Sequence, residues 1–577
     1  MPLLRSQTPS SLEELCLLAV IKCLETDLIL CEVAKGLQAS SLLLRRRDLS
    51  MSKISEELRD YMAFLPGTLS EMVRQRITNK VLKKYTRMSQ QETPPPPLGL
   101  PPHTMTVRLL EIVLDDEVRT FDLSEFQPLL RTVQYRPQPG VPEVWELVPG
   151  RCRGLRKFAL PPFLTSTVGI RMNGFLKSVA YQCNKLTEIV LKDAVYDGKV
   201  LAAIARHCPS VRLLDITGSN VSCMDILYLV FPGTGEGTGE APHAMQSDEM
   251  ARLKRLAMQP VPIPNQAYNA LCGTIRDLIL TNTKVRALGA YFVLKFMPNI
   301  TSLGDFVFAT AGLKKFWHES KFKFSLKQIF YRGPSCEKVK LIGATCPDLE
   351  TLHLGSDDAK RLNFKHLSKL PKLHRLTVEL AHAVDIGPEL AHLSQLTQLQ
   401  LQVPNVDVGL VVESCPLLQK LVLTLEPQKT VTVTHDKEHL VLAHLQELQL
   451  ECQISLDAAA LLLTRAPRLK VVKLVRVKKL TDRILAEWLH TNPFEHLETW
   501  LLGYSNLTIT SVSLLLSRCP KLSTLGRLSG WDVRSWESRR LQRAWHNYQL
   551  NLVHFSHKQN DVSQIMDATA SSDEDVL

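Results

Sequence analysis

The string CPDLETLHL, residues 346–354, recurs in modified form along the chain, and that recurrence limits what the chain can fold into more than any other feature. LPKLHRLTV, CPLLQKLVL, APRLKVVKL and CPKLSTLGR share its form, and HCPSVRLLDI and MPNITSLGDF fit it too. Proline stands two residues before the first aliphatic at Pro209, Pro298, Pro347, Pro371, Pro416, Pro467 and Pro520. First aliphatics at 326, 349, 373, 396, 418, 445, 469, 497 and 522 give steps of 23, 24, 23, 22, 27, 24, 28 and 25 residues. Earlier pairs at 186 and 211, and at 275 and 300, are each 25 apart. Proline cannot continue a helix and is common just after one ends, whereas alternating L-x-L specifies a short strand with one buried face. Segments upstream of the prolines, such as SVSLLLSR and AALLLTR, read as helices, so each unit is helix, turn, strand. A unit this small buries its apolar face only by stacking on its neighbours.

The pattern resembles the cysteine-containing class of leucine-rich repeats found in many F-box and related ubiquitin-ligase receptors, and it covers most of residues 180–528. The resemblance implies an α/β leucine-rich-repeat solenoid, a horseshoe whose strands line the concave side. The residue before the proline is Cys208, Met297, Cys346, Leu370, Cys415, Ala466 or Cys519, and Cys183 holds the same place without a proline. These cysteines read as small buried hydrophobes, neither ligands nor nucleophiles. The x positions of x-L-x-L face outward, and among them His353, Arg375, Gln398, Gln400, Lys420, Glu447, Gln449 and Lys473 form the candidate substrate surface.

Between Val211 and Ile275 lie 64 residues, too many for one repeat; FPGTGEGTGEAPHAMQSDEM marks a surface insertion at about 231–266. Its glycines miss the G-x-G-x-x-G register of a nucleotide-binding loop. Another break, SQQETPPPPLGLPPH at 89–103, reads as an extended spacer. The chain therefore divides into a small all-helical N-terminal domain (1–88), the proline-rich linker (89–103), the repeat region (104–530) and a C-terminal segment (531–577). In that last segment Trp531, Trp536 and Trp545 suit a cap on the final repeat, and the acidic DATASSDEDVL suits a disordered tail.

Two motifs in the N-terminal domain add a function. SLEELCLLAV opens with a capping box, Ser11 and Glu14, and places Leu12, Cys16 and Val20 one turn apart on one helix face. LPGTLSEMV follows at 65–73, with Leu65, Pro66, Leu69 and Val73 in an aliphatic-Pro-x-x-aliphatic-x-x-x-aliphatic pattern. Together they resemble the two halves of a VHL box, in a layout similar to leucine-rich-repeat receptors of the Zer/Zyg type. The resemblance implies that Ser11, Leu12, Cys16 and Val20 bind elongin C, itself paired with elongin B, and that Leu65, Pro66, Leu69 and Val73 bind a cullin. Thr68 stands where a proline would mark cullin-5, which points to cullin-2. The implied function is that of a substrate-recognition subunit of an elongin BC/cullin-2 ubiquitin ligase, with a protein substrate and no cofactor.

Two other readings stay open: an F-box receptor for Skp and cullin-1, which would also open on Leu-Pro, and a repeat scaffold with no ligase role. The later hydrophobic and tryptophan positions of an F-box are missing, the first tryptophan being Trp145. An enzyme is not expected, since no H-E-x-x-H, G-x-S-x-G or G-x-x-x-x-G-K-[ST] occurs. Lys and Arg number 69 against 58 Asp and Glu, a net +11 that permits acidic partners without indicating them. The candidate surface is mixed in charge and lacks interleaved aromatics, so a nucleic-acid partner is not expected. The 13 cysteines include no CxxC pair, and no apolar run approaches 18 residues, so a reducing compartment, cytoplasm or nucleus, is expected and a membrane span is not.

Overall fold

The computed structural model describes residues 114–122, 147–160, 169–232, 269–316, 322–333, 336–356, 364–380, 386–425, 430–433, 440–477, 479–526, 530–534, 537 and 551–553. The N-terminal helical domain with both its motifs, the proline-rich linker, all but two residues of the insertion, Trp536, Trp545 and the acidic tail lie outside the described residues. Two compact units are formed, Met1–Ile329 and Phe330–Leu577.

In the first unit, strands β1 (Thr120–Asp122), β2 (Lys157–Leu160), β3 (Glu188–Leu191), β4 (Leu213–Asp215) and β5 (Asp277–Ile279) form one parallel sheet in sequence order. Each is followed by a return segment, and Gly198–His207 shows why such a segment is helical. Asp197 caps its start by accepting a hydrogen bond from the Val200 N–H at 3.1 Å. Val200, Leu201, Ile204 and Ala205 lie on its buried face, and Cys208 ends it, its N–H still bonded to the Ile204 carbonyl.

The second unit continues the same construction in an eleven-stranded sheet. Its strands are β6 (Gln328–Arg332), β7 (Thr351–Ser356), β8 (Arg375–Leu380), β9 (Gln398–Gln402), β10 (Lys420–Thr424), β11 (Thr430–Val431), β12 (Glu447–Ile454), β13 (Val471–Val477), β14 (Thr499–Tyr504), β15 (Thr524–Gly526) and β16 (Asn551–Val553). All lie in sequence order except β11, which pairs with the end of β12 off the main path. The first aliphatics read from the repeats, Leu349, Leu373, Leu396, Leu418, Leu445, Leu469, Leu497 and Leu522, are all buried. Along β8 the alternation is complete: Leu376, Val378 and Leu380 are buried, while Arg375, Thr377 and Glu379 are not.

One backbone device sets the register in each unit. The residue after the first aliphatic offers its carbonyl to two N–H groups of the next repeat, so Gln419 O accepts from Gln446 N at 2.8 Å and Glu447 N at 3.0 Å. Lys470 O and Glu498 O repeat the arrangement in the second unit, and Arg156 O, Thr187 O and Arg212 O in the first. The bonds use main chain only, so the side chain at this ladder position is free to vary.

Return segments depart from the uniform helix that the repeats imply. Leu456–Thr464, Asp482–Thr491 and Ile509–Arg518 are helices of nine or ten residues, as AALLLTR and SVSLLLSR predict. Leu367–Lys369 is only a 3₁₀ turn and Gly387–Leu390 a single helical turn. Of the 27-residue step from Leu418 to Leu445, the described part carries strand β11 and no helix. Such steps contribute a turn or an extra strand because burial needs the apolar residues in place, whatever backbone carries them.

Burial of the cysteines matches their repeat position. Cys183, Cys208, Cys346, Cys415 and Cys519 are all buried, and Cys152 and Cys272 occupy the same place three residues before Leu155 and Ile275. Burial pushes the Cys183, Cys208, Cys272, Cys415 and Cys519 thiols up to about 12, so they stay neutral. The Cys183 thiol donates to the Cys152 carbonyl at 3.3 Å, and the Cys208 thiol to the Ala180 carbonyl at 3.3 Å. In the 28-residue repeat Asn492 assumes this bonding role, as its Nδ2 donates to the Leu463 carbonyl at 2.7 Å and the Ala466 carbonyl at 3.0 Å. Leu463 and Ala466 stand three residues apart in their repeat, as Ala180 and Cys183 do in theirs. After the last full repeat, Trp531 is buried and donates from Nε1 to the Leu502 carbonyl at 2.9 Å.

Candidate protein-binding surface

The strand register brings all eight candidate surface residues into two rows on the solvent side of the second unit's sheet. One row runs Thr351, Arg375, Gln398, Lys420, Glu447, Val471, Thr499. The next runs His353, Thr377, Gln400, Val422, Gln449, Lys473, Leu501. Neighbouring positions in a row are separated by the strand spacing of about 4.8 Å. Arg375, Gln400 and Lys473 are exposed, and His353, Gln398, Lys420, Glu447 and Gln449 are half-buried. Within the second row Val422 is buried, so the face dips at its centre.

Five of the eight meet around one shallow depression of about 430 Å³, where Arg375, Gln398, Gln400, Lys420 and Glu447 are joined by Gln419 and Gln446. Lys420 Nζ lies 2.7 Å from Glu447 Oε2, and both side chains are nearly half exposed, so the pair orders the floor more than it stabilises the fold. His353 lies apart from this group. Its ring centroid is 4.2 Å from that of Phe330, and its Nε2 is 3.2 Å from Glu379 Oε1. Gln449 reaches along its own strand, donating from Nε2 to Glu451 Oε1 at 2.5 Å. Lys473 is exposed on β13, away from the depression.

One part of the surface is absent from the sequence-based set. Tyr504, at the end of β14, is 54% exposed, unusual for an aromatic residue in a strand, and its register partner on β13 is the exposed Arg476. A tyrosine beside an arginine is the composition that dominates binding energy at protein interfaces. Gly503 permits the approach: a Cβ there would lie 2.2 Å from the Val475 carbonyl oxygen. The repeat pattern ends at L-x-L and β14 runs past it; alternation along TWLLGY would put Tyr504 on the side of the buried Trp500 and Leu502, so the sequence carries no signal for its exposure.

Chemically the face offers amide donors and acceptors at a fixed pitch, flanked by single charges of both signs. Gln398, Gln400 and Gln402 stand at alternate positions of β9, and each amide can both donate to and accept from a peptide backbone. Among the described residues no group of His, Cys, Asp and Glu could hold a metal ion, and no helix is long and apolar enough to cross a membrane.

These features settle the fold. The chain is built of leucine-rich repeats. No protein-family model matches it, and no curated protein does. Among solved structures it is similar to an internalin, InlF, of Listeria monocytogenes, with 14% identity over 66% of this chain and 83% of that one and a TM-score of 0.33. A leucine-rich-repeat protein of Leptospira interrogans aligns with 12% identity over 77% of this chain and 92% of that one, TM-score 0.33. TLR13, in a complex with ssRNA13, aligns with 14% identity over 70% of this chain and 65% of that one, TM-score 0.31.

Proposed function

We propose that this chain is the substrate-recognition subunit of an elongin BC/cullin-2 RING ubiquitin ligase, acting in the cytoplasm or nucleus. The observation that carries the reading is the pair of N-terminal motifs, in order, ahead of a repeat array: Ser11, Leu12, Cys16 and Val20, then Leu65, Pro66, Leu69 and Val73. An amphipathic helix laid in an apolar groove binds through anchors one turn apart, with Leu12 as the main plug and Cys16 where a larger side chain would not fit. The polar rows of the second unit supply the other requirement, a rigid face with paired donors and acceptors on which a target protein can dock. The chain's contribution is then proximity: it holds a target lysine near a charged conjugating enzyme and raises the effective concentration of the reactants.

The test is co-purification of the full chain with elongin B, elongin C and cullin-2. Leu12→Ser with Cys16→Asp is expected to abolish elongin C capture and leave thermal unfolding of the repeats unchanged. Leu65→Ala with Pro66→Ala is expected to release cullin-2 and retain elongin C. Capture of elongin C by the Leu12→Ser, Cys16→Asp chain would refute the reading. Capture of Skp and cullin-1 in its place would make Leu65 and Pro66 the start of an F-box, and no capture of either would leave a protein-binding repeat scaffold.

A further inference from the structure

The ladder position, the residue after each first aliphatic, carries a different chemistry in the two units. In the second unit its occupants are Glu350, His374, Thr397, Gln419, Gln446, Lys470, Glu498 and Ser523, a mixture with no net preference. In the first unit they are Arg119, Arg156, Thr187, Arg212, Arg276, Thr301 and Lys327, five cations and two threonines with no acid. The backbone role is the same, since each of these residues up to Thr301 gives its carbonyl to two N–H groups of the next repeat. Threonine and glutamine satisfy that role at 397, 419 and 446, so the ladder does not call for cations, although Arg119 has a second task, its Nη1 donating to the Gly154 carbonyl at 3.0 Å.

Arg156, Arg212 and Arg276 are exposed, and so are Lys185 and Arg153 in the turns beside them. None of these five side chains has an ion-pair or hydrogen-bond partner among the described residues. Strands β2 to β5 thus each bring an exposed cation, without a partner among the described residues, to the edge where the strands begin: Arg156, then Lys185 beside Thr187, then Arg212, then Arg276. Three strand spacings separate the first from the last, about 14 Å. Most nearby acids are engaged: Asp277 is half-buried and accepts from the Thr301 hydroxyl at 2.8 Å, Asp116 accepts from the Arg153 N–H at 2.9 Å and Asp115 from the Glu117 N–H at 3.0 Å, while Glu117 and Glu188 are exposed.

We infer that this edge of the first unit binds an acidic, extended polypeptide segment, one rich in Asp and Glu or phosphorylated. Arginine forks match carboxylate and phosphate oxygens in two-point contacts. An extended chain crossing four strands places alternate side chains about 6.8 Å apart, within reach of the flexible cations on either side. A polypeptide fits better than a nucleic acid on two counts. No ladder residue in this unit is aromatic, so bases would find no stacking platform in the row. Glu188, between Arg156 and Arg212 in strand order, would oppose a continuous phosphodiester chain but can accept from peptide N–H groups. The inference is independent of the ligase proposal, and its test contains neither elongin nor cullin.

The test measures fluorescence anisotropy of labelled probes with the full chain at low salt. The probes are an alternating Glu-Ser peptide of about eight residues, twice the span of four strands, its phosphoserine form, a Gln-Ser peptide of equal length and an oligouridylate. Both acidic peptides are expected to bind, and the Gln-Ser peptide is not. Each exposed cation contributes about 3- to 5-fold, so Arg156→Gln with Arg212→Gln and Arg276→Gln is expected to weaken binding about 30- to 100-fold. Arg468→Gln with Lys470→Gln and Lys521→Gln removes the same net charge from the second unit and is expected to change affinity less than about 3-fold if the site is local. Equal losses in the two variants would show a general charge effect and overturn the proposal. Absence of binding to either acidic peptide, or binding of oligouridylate alone, would overturn it as well. Thermal unfolding of both variants, expected to match the parent chain, separates loss of the site from loss of the fold.

Discussion

Asn492 gives the most quantitative test of how the repeats are joined. It is 4% exposed, its Nδ2 donates to the Leu463 and Ala466 carbonyls, and its Oδ1 accepts from the Phe494 N–H at 3.3 Å. Asn492→Ala removes three hydrogen bonds in a site too buried for water to replace them, and it leaves the Leu463 carbonyl and the Phe494 N–H without partners while the Ala466 carbonyl keeps the Leu469 N–H at 3.4 Å. At about 1 kcal/mol per neutral bond, with a further penalty for orphaned buried groups, the loss is about 3–4 kcal/mol. Asn492→Cys returns a single weak S–H donor, as Cys208 supplies to Ala180, so its loss is about half as large. Asn492→Leu keeps the volume and orphans the same groups, and it is expected to resemble the alanine variant. Urea titration followed by tryptophan fluorescence reports the shift, since Trp488 and Trp500 are both buried in this unit. Hydrogen exchange of the amides of helix Asp482–Thr491 checks that the loss is local. An alanine variant within 1 kcal/mol of the parent, or a leucine variant more stable than the cysteine one, would refute the reasoning.

Other expectations rest on single features. Burial, the largest influence on Asp482, would raise its pKa, but hydrogen bonds from the Ser511 and Thr508 side chains and backbone hold it below the ordinary carboxylate range. Its stabilisation is therefore present above the unfolded value of about 3.9 and is lost as pH falls through the folded one, so Asp482→Asn should flatten the acid limb of a stability-against-pH curve. Among the nine cysteines whose burial is described, Cys223 alone is not buried and should react with iodoacetamide in the native protein, whereas Cys208 and Cys415 should label only after unfolding; equal labelling rates would contradict the burial. Gly503→Ala forces β14 away from the Val475 carbonyl and should cost about 1–3 kcal/mol in a urea titration, while Tyr504→Ala should leave stability within about 0.5 kcal/mol.

Repeat period, strand positions, buried first aliphatics and the cysteine burial could all be read from the sequence, because each follows from a short periodic pattern that the fold enforces in every unit. Which side chains share a row could also be read, since a parallel register repeats once the period is known. Three features could not. Asn492 was hidden because two extra residues, Pro493 and Phe494, separate it from the leucine that marks the other units, and Phe494 takes a left-handed backbone (φ 49°) to absorb them. Tyr504 was hidden because strand length varies beyond the L-x-L core. The single helical turn at Gly387–Leu390 and strand β11 were hidden because the return segments are held by burial, which leaves their backbone free to differ.

A fold whose register is fixed by main-chain carbonyls and whose core is fixed by leucines leaves its exposed positions almost unconstrained. Composition at those positions therefore carries information that composition in the core cannot. Glutamine at 398, 400 and 402 does nothing for the strand, which would accept threonine more readily, and arginine at 156, 212 and 276 does nothing for the ladder, which accepts glutamine and threonine in the other unit. The two biases differ in kind. Amides ask for a partner that presents backbone or neutral polar groups, and exposed cations ask for one that presents negative charge, so the two units are suited to different stretches of polypeptide.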